Sequence, residues 1–403
     1  MTHCALEFEH VDILFTRAQG AKGSRALREA VAALDAGGTR AQIAERFGVV
    51  LGVADANLRV ESGQICVLMG LSGSGKSTLL RAANGLNKVT RGRVLVHDGA
   101  GQADVAQCTS ANLRRLRRER IAMVFQQFGL LPWRTVRDNV GFGLELRGES
   151  AARRAQIVDE KLELVGLSQW AGRYVSELSG GMQQRVGLAR AFATDADILL
   201  MDEPFSSLDP LIRTKLQDEL LALQARVKKT ILFVSHDLDE ALRLGNQISI
   251  LEGGRILQTG SVRDIVLHPA HARVAEFVQH MNPLDVLRGD MIMRRRDELA
   301  PAGTGPGLRL DADGRYVVFL DGEGRPAEVR RDGQSLAICA PGDTATAAGK
   351  SAICMAPASS TLQQLVELSA RSGHPVLLQE AGGFCGACGE SEIVRALAGS
   401  HAG

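Results

Sequence analysis

The feature that most constrains this 403-residue sequence is the run Gly70, Leu71, Ser72, Gly73, Ser74, Gly75, Lys76, Ser77, which fills the pattern G-x-x-x-x-G-K-[ST]. An apolar stretch at 64–69 precedes it and reads as a strand, and Thr78 opens a helical stretch at 78–83. Glycines at these spacings let the backbone curl until its N–H groups converge on phosphate oxygens, and the following helix adds a favourable dipole. The expected roles are Lys76 across the β- and γ-phosphates of ATP and the Ser77 hydroxyl on Mg²⁺. A strand, this loop and a helix in succession predict an α/β fold.

The surrounding pattern extends that expectation. Apolar strands at 64–69, 93–96, 121–125, 198–201 and 230–234 alternate with helical stretches from about 53 to 266, which predicts a parallel sheet covered by helices. An alternating strand at 6–15 comes first. A helical insert over about 24–48 follows, with Leu27, Val31 and Leu34 on one face of a helix at 26–34, and with Gly37 and Gly38 stopping it. Thr39 and Gln42 then have the spacing of a capping box that starts a second helix ending near Phe47. The two helices have a helix-turn-helix form. However, Lys+Arg 47 against Asp+Glu 46 leaves a net charge of +1, which argues against binding nucleic acid through bulk charge. The expected division is a nucleotide-binding domain at 1–265, a linker helix at 266–284 bracketed by Pro269 and Pro283, and a smaller tail at 285–403. Turn formers at 301–307, strands at 315–320 and 375–378, and a helix at 360–369 mark that tail.

A second constellation sits at 198–203, where a buried apolar strand ends in Asp202 and Glu203. Acids at the carboxyl end of such a strand lie where α/β proteins bind ligands. Asp202 is expected to hold Mg²⁺ and Glu203 to orient and deprotonate the attacking water. Ser179, Gly180 and Gly181 open another helix and offer a second anion cradle. One γ-phosphate does not need two cradles from one chain, so the second is expected to close over ATP held by another copy.

With Leu178, Ser179, Gly180, Gly181, Met182 and Gln183 the sequence resembles the ATP-binding-cassette (ABC) family, whose signature is LSGGQ; Met182 replaces the Gln, and Gln183 follows. The resemblance implies a nucleotide-binding domain with a helical signature subdomain. It implies that Phe125-Gln126-Gln127 is the Q-loop, with Gln126 near Mg²⁺ and the attacking water. It likewise implies that Ser206 to Asp209 is a D-loop at a dimer interface, and that His236 in Ser235-His236-Asp237 reaches the γ-phosphate. These motifs cover roughly 5–265. The family stacks adenine on an aromatic residue ahead of the phosphate loop; the insert leaves Phe15 and Phe47 competing, and Phe15 is favoured because it ends the first strand.

The residues at 51–57, 84–92, 209–213 and 236–241 narrow the resemblance to ATPases of glycine betaine, proline betaine and choline importers; an importer of another small solute such as an amino acid, or a soluble ABC ATPase without a membrane partner, is the other reading. That implies a homodimer at the cytoplasmic face of the inner membrane, a separate permease and an extracytoplasmic substrate-binding protein. No apolar run approaches the ~18 residues of a membrane span, and the N-terminus lacks the pattern of a signal peptide. The stretch 128–136, with Trp133, is expected to face the permease or to pack in the core. The tail, at 355–368, 375–378 and 382–386, resembles a cystathionine-β-synthase-type (CBS) regulatory module, with 290–335 as a degenerate first unit; a plain dimerising appendage is the other reading. Arg294, Arg295 and Arg296 read as solvated surface rather than a lipid contact. Seven scattered cysteines do not form a disulfide framework, and Cys385 and Cys388 read as small apolar residues of a strand.

Overall fold

Strand-forming residues at both flanks of the insert pair with each other and leave the insert between them. In the computed structural model, which describes residues 4–99, 101–279, 281–303, 306–340 and 352–399, β1 (Cys4–Thr16) runs antiparallel to β2 (Val49–Glu61), with Phe15 opposite Val50. The chain between them forms α1 (Gly20–Asp35) and α2 (Arg40–Phe47). The helix α1 begins earlier than its apolar face at Leu27, because its first residues, Gly20, Ala21 and Lys22, are exposed and carry no large apolar side chain, so they leave no trace in hydrophobic periodicity. Thr39 and Gln42 do make the reciprocal capping box of α2, and Gly48 closes it in the left-handed conformation. Leu34 and Ile43 pack with Leu14, Val49 and Leu51, so the insert is seated on β1 and β2 rather than free.

β3 (Ile65–Met69) leads into α3 (Lys76–Ala82), and β4 (Arg91–His97) and β5 (Gln102–Asp104) complete a four-stranded sheet in the order β2-β1-β4-β5. After α4 (Ser110–Glu119) and β6 (Ile121–Val124) come three helices, α5 (Val136–Arg147), α6 (Ala151–Leu164) and α7 (Gly180–Ala193). They bury Val140, Leu144, Val158, Leu162 and Val186. β7 (Ile198–Asp202), α8 (Pro210–Val227), β8 (Thr230–Val234), α9 (Leu238–Leu244), β9 (Gln247–Glu252) and β10 (Arg255–Gly260) follow. The second sheet has the order β10-β9-β3-β8-β7-β6 and is parallel except for β10 at its edge. Every residue of β3, β7 and β8 is buried, as a parallel sheet covered on both faces requires.

The chain divides into two compact units, Met1–Val262 and Arg263–Gly403. The second contains α10 (Val262–Leu267) from its second residue, α11 (Ala272–Gln279), α12 (Pro283–Val286), α13 (Gly289–Ile292) and β11 (Arg294–Arg295). β12 (Gly307–Arg309), β13 (Tyr316–Leu320), β14 (Pro326–Arg331) and β15 (Gln334–Cys339) form an antiparallel meander with no helix between its strands. β16 (Ala352–Pro357), α14 (Leu362–Ser372), β17 (Val376–Glu380), β18 (Gly383–Cys388) and α15 (Glu390–Gly399) follow as a β-α-β-β-α run. All eight strands join in one sheet. Cys385 and Cys388 lie in β18, where burial pushes the Cys388 thiol up to about 12. Among the described residues no group of three or more metal-ligating side chains exists, and no helix is long and apolar enough to cross a membrane. Of the turn formers at 301–307, residues 304 and 305 lie outside the described residues.

Candidate nucleotide site

The neighbours β3, β8, β7 and β6 run in the same direction, so all four end on one edge of the sheet. That edge gathers the loop 70–77, His236, the pair Asp202 and Glu203, and Gln126 from segments far apart in sequence. Gly70, Gly73 and Gly75 have φ of 142, 75 and 105°. A Cβ at Gly70 would stand 2.0 Å from the Leu251 carbonyl oxygen, and one at Gly75 2.5 Å from that of Gly52, so two of the three glycines are demanded by space as well as by φ. Lys76 Nζ donates to the carbonyls of Gly70 (2.8 Å) and Leu71 (2.9 Å), closing the loop on itself. Burial pulls this ammonium below the usual lysine value, and the carboxylates of Glu203 and Asp202 pull the other way. The Ser74 hydroxyl is buried without a hydrogen-bond partner. Ser72 and Leu71 are exposed at the mouth of the loop.

Asp202 is 0% exposed and fully engaged. Ser77 Oγ donates to its Oδ1 at 2.7 Å, and the Arg81 guanidinium grips Oδ2 at 2.8 and 3.0 Å. Sequence reasoning missed Arg81: it stands on the helix after the phosphate loop, where an arginine reads as ordinary, and nothing local announces a partner 121 positions away. Glu203 takes a left-handed φ of 48°, a conformation that costs a non-glycine residue about 1–2 kcal/mol and aims the side chain away from the strand line. Its backbone is held in return, since its N–H donates to Val234 O and its carbonyl accepts from buried Gln184 Nε2 (3.1 Å) and Ser206 Oγ (3.0 Å). Glu203 Oε2 then meets Gln126 Nε2 and His236 Nδ1, each at 3.3 Å. Behind His236, Ser235 Oγ donates to buried Glu240 at 2.5 Å, and Gln217 donates to the same carboxylate at 3.0 Å. Burial raises the Glu240 carboxyl, with the hydrogen bonds from Ser235 and Gln217 opposing.

A phosphate-shaped turn with an acid, an amide and an imidazole beside it has counterparts among known proteins. The family model described as ABC transporter matches residues 53–206. The glycine betaine/carnitine transport ATP-binding protein GbuA of Listeria monocytogenes is 44% identical over 295 residues, 73% of this chain and 72% of that protein. The chain belongs to the ABC transporter family. The ABC chain is also 50% identical over 262 residues, 65% of its own length, to the glycine betaine/proline betaine transport ATP-binding protein ProV of Escherichia coli. It spans 64% of the length of ProV. A solved ABC structure, the dimeric ATP-binding cassette MJ0796 in a post-hydrolysis state with ADP and Pi, matches with a TM-score of 0.53 and 27% identity over 64% of this chain and 98% of that one.

The remaining sequence-predicted residues of this ABC chain lie outside that cluster or at its rim. Ser179 caps α7, accepting from Met182 N, and Ser179 and Gly180 are exposed. Gln183 turns its amide back onto the carbonyls of Val175 and Leu178, so that end of the side chain holds the turn before the helix. Asp209 caps α8 and is exposed. Phe15 lies across Gly52, where an added Cβ would stand 2.8 Å from its ring and 3.0 Å from the Thr78 methyl; Phe15 therefore sits beside the helix that follows the phosphate loop. Phe47 packs among the insert's apolar residues with the Arg46 guanidinium 5.2 Å from its ring centre. Trp133 is 70% exposed, which removes the core reading. Its loop is fastened by buried Asn139, which bonds the Leu131 N–H and the carbonyls of Leu131, Arg134 and Thr135.

Proposed function

We propose that the chain is the ATP-hydrolysing subunit of an importer that carries a quaternary amine osmolyte (glycine betaine, proline betaine or choline) through a separate membrane permease. The observation that carries this reading is the meeting of Gln126 and His236 on Glu203 Oε2, next to the phosphate loop, in a chain 44–50% identical to relatives named for glycine betaine transport. In it, Lys76 exchanges the carbonyls of Gly70 and Leu71 for the oxygens of a triphosphate, and the backbone amides of Gly73, Ser74, Gly75, Lys76, Ser77 and Thr78 cradle the rest. The hydroxyl of Ser77, the carboxylate of Asp202 and the amide oxygen of Gln126 offer a hard oxygen set that would hold Mg²⁺, which would supply charge neutralisation at the phosphates. Glu203 accepts the proton of the attacking water, and His236 steadies that carboxylate and reaches toward the γ-phosphate. Phe15, exposed beside Gly52 and Thr78, offers its ring to adenine.

Ser179, Gly180 and Gly181, with Gln183 behind them and Asp209 at the start of α8, close over ATP bound by a second copy, so the working unit is a homodimer. The exposed Trp133 loop faces the permease at the cytoplasmic side of the inner membrane, and an extracytoplasmic binding protein delivers the solute. The β-α-β-β-α run at 352–399 supports a CBS-like regulatory tail preceded by a meander in place of a first module. The test is uptake: cells lacking this chain are expected to lose import of radiolabelled glycine betaine, to regain it with the wild-type chain, and not with Glu203→Gln. Unchanged uptake without the chain refutes the transport reading; ATP turnover by purified Glu203→Gln at the wild-type rate refutes the assignment of the base.

A further inference from the structure

The insert between β1 and β2 has no part in the chemistry above, yet it touches the phosphate loop. Arg40, the first residue of α2, donates from its guanidinium to the carbonyl oxygen of Gly73 at 2.9 Å. A cation at the first turn of a helix opposes the helix dipole, so this position gains nothing for α2 itself. The reach depends on a rigid base. Thr39 and Gln42 fix the start of α2, Ile43 anchors it in the insert's apolar cluster, and Arg91 ties Asp35 at the end of α1 (2.8 Å, two bonds) to fully buried Asp12 (2.6 Å). The next carbonyl of the loop is also taken from outside: Ser74 O accepts from Gly254 N at 3.0 Å, while Gly254 O accepts from Ala54 N at 2.8 Å.

We propose that the helical insert is a clamp on the phosphate loop, with Arg40 as a positioning residue that holds the Gly73 carbonyl outward. A trans peptide is planar, with its N–H pointing opposite to its C=O. Two successive carbonyls held outward by Arg40 and Gly254 therefore direct the N–H groups of Ser74 and Gly75 to the other side, where the Ser74 N–H donates to the Leu71 carbonyl at 3.1 Å, the same carbonyl that Lys76 holds and that a phosphate oxygen would replace. The bond from a charged donor also polarises the Gly73–Ser74 peptide and strengthens its N–H as a donor. The insert thus tightens nucleotide binding without touching the reacting atoms.

This inference rests on the ATP-binding reading, and the experiment separates the two. ATP affinity is measured by calorimetry on the full chain, alongside the kinetics of ATP hydrolysis, for wild type, Arg40→Ala and Arg40→Lys. Arg40 is exposed, so its truncation leaves the packing intact. Arg40→Ala is expected to weaken ATP about five- to tenfold, the range of one charge-assisted hydrogen bond at a wet surface. KM should rise in step while kcat at saturating ATP and the nucleotide-free unfolding midpoint stay at wild-type values, and Arg40→Lys should recover most of the affinity. Wild type that fails to bind ATP defeats the nucleotide reading itself. Arg40→Ala that binds ATP as wild type does, or that loses affinity only together with the nucleotide-free midpoint, overturns the clamp.

Discussion

Replacing Arg81 by Met removes one of the two groups that support the buried carboxylate of Asp202. Arg81 supplies two hydrogen bonds, at 2.8 and 3.0 Å, and the cation paired with a carboxylate that is 0% exposed; Ser77 at 2.7 Å remains. Breaking a fully buried ion pair by removing one partner costs about 3–5 kcal/mol. The Arg81 side chain is 38% exposed, so solvent already screens part of the pairing, and a loss of about 1.5–3 kcal/mol is the reasonable figure. For a unit of this size that lowers the unfolding midpoint by on the order of 5 °C. Thermal unfolding of wild type and Arg81→Met, each without nucleotide and with saturating ATP and Mg²⁺, checks it. A divalent cation beside Asp202 restores the missing positive charge, so the ligands are expected to raise the variant's midpoint by more than they raise that of wild type. A variant that melts within 1 °C of wild type without ligand refutes the claim that Arg81 carries Asp202. Equal ligand-induced rises refute the claim that metal and guanidinium relieve the same charge.

Three further outcomes follow from the same geometry. Glu203→Gln keeps an oxygen for Gln126 and His236 to meet, so it should bind ATP normally while turnover falls about 10²–10⁴-fold, equivalent to about 3–5 kcal/mol of barrier. Gly70→Ala drives a methyl group to 2.0 Å from the Leu251 carbonyl at a φ of 142°, and the expected destabilisation is about 2–4 kcal/mol with ATP binding abolished, read by denaturant unfolding and calorimetry. The Glu240 carboxyl is raised above its ordinary value chiefly by burial, so the folded state favours its protonated form. Its contribution is fully present below the ordinary glutamate value and is lost as pH rises through the raised one. The midpoint of Glu240→Gln relative to wild type should therefore climb between pH 4 and pH 7, and a flat difference contradicts the assignment.

Local signals and long-range ones fared differently on the way from sequence to structure. The phosphate loop, the acids after β7, the capping box at Thr39 and the cap at Ser179 were legible because each depends on residues within a few positions, whose chemistry dictates the turn. The parallel sheet was legible from alternation, since strands buried on both faces are uniformly apolar, but the same apolarity misplaced the strand at 93–96, which as β4 pairs antiparallel with β1 and β5 in the other sheet. What stayed hidden were partnerships across the sheet edge: Arg81 with Asp202, Gln184 with the Glu203 carbonyl, Arg40 with Gly73. A long polar side chain on a helix reads as solvated until the fold supplies its acceptor. The tail was legible only in part, because β12 to β15 are short and half-exposed, so alternation in them is faint, and the parallel pairing of β15 with β16 that joins them to the later strands is a long-range partnership.

Asn139 has a consequence that reaches beyond its own helix. One amide fastens four main-chain groups between Leu131 and Thr135, with Trp133 left outside. The freedom of that loop is surrendered when the chain folds, long before any other protein arrives. A visitor therefore meets an indole already presented on a stiff mount, and the disorder that would otherwise vanish at the moment of encounter has been spent in advance.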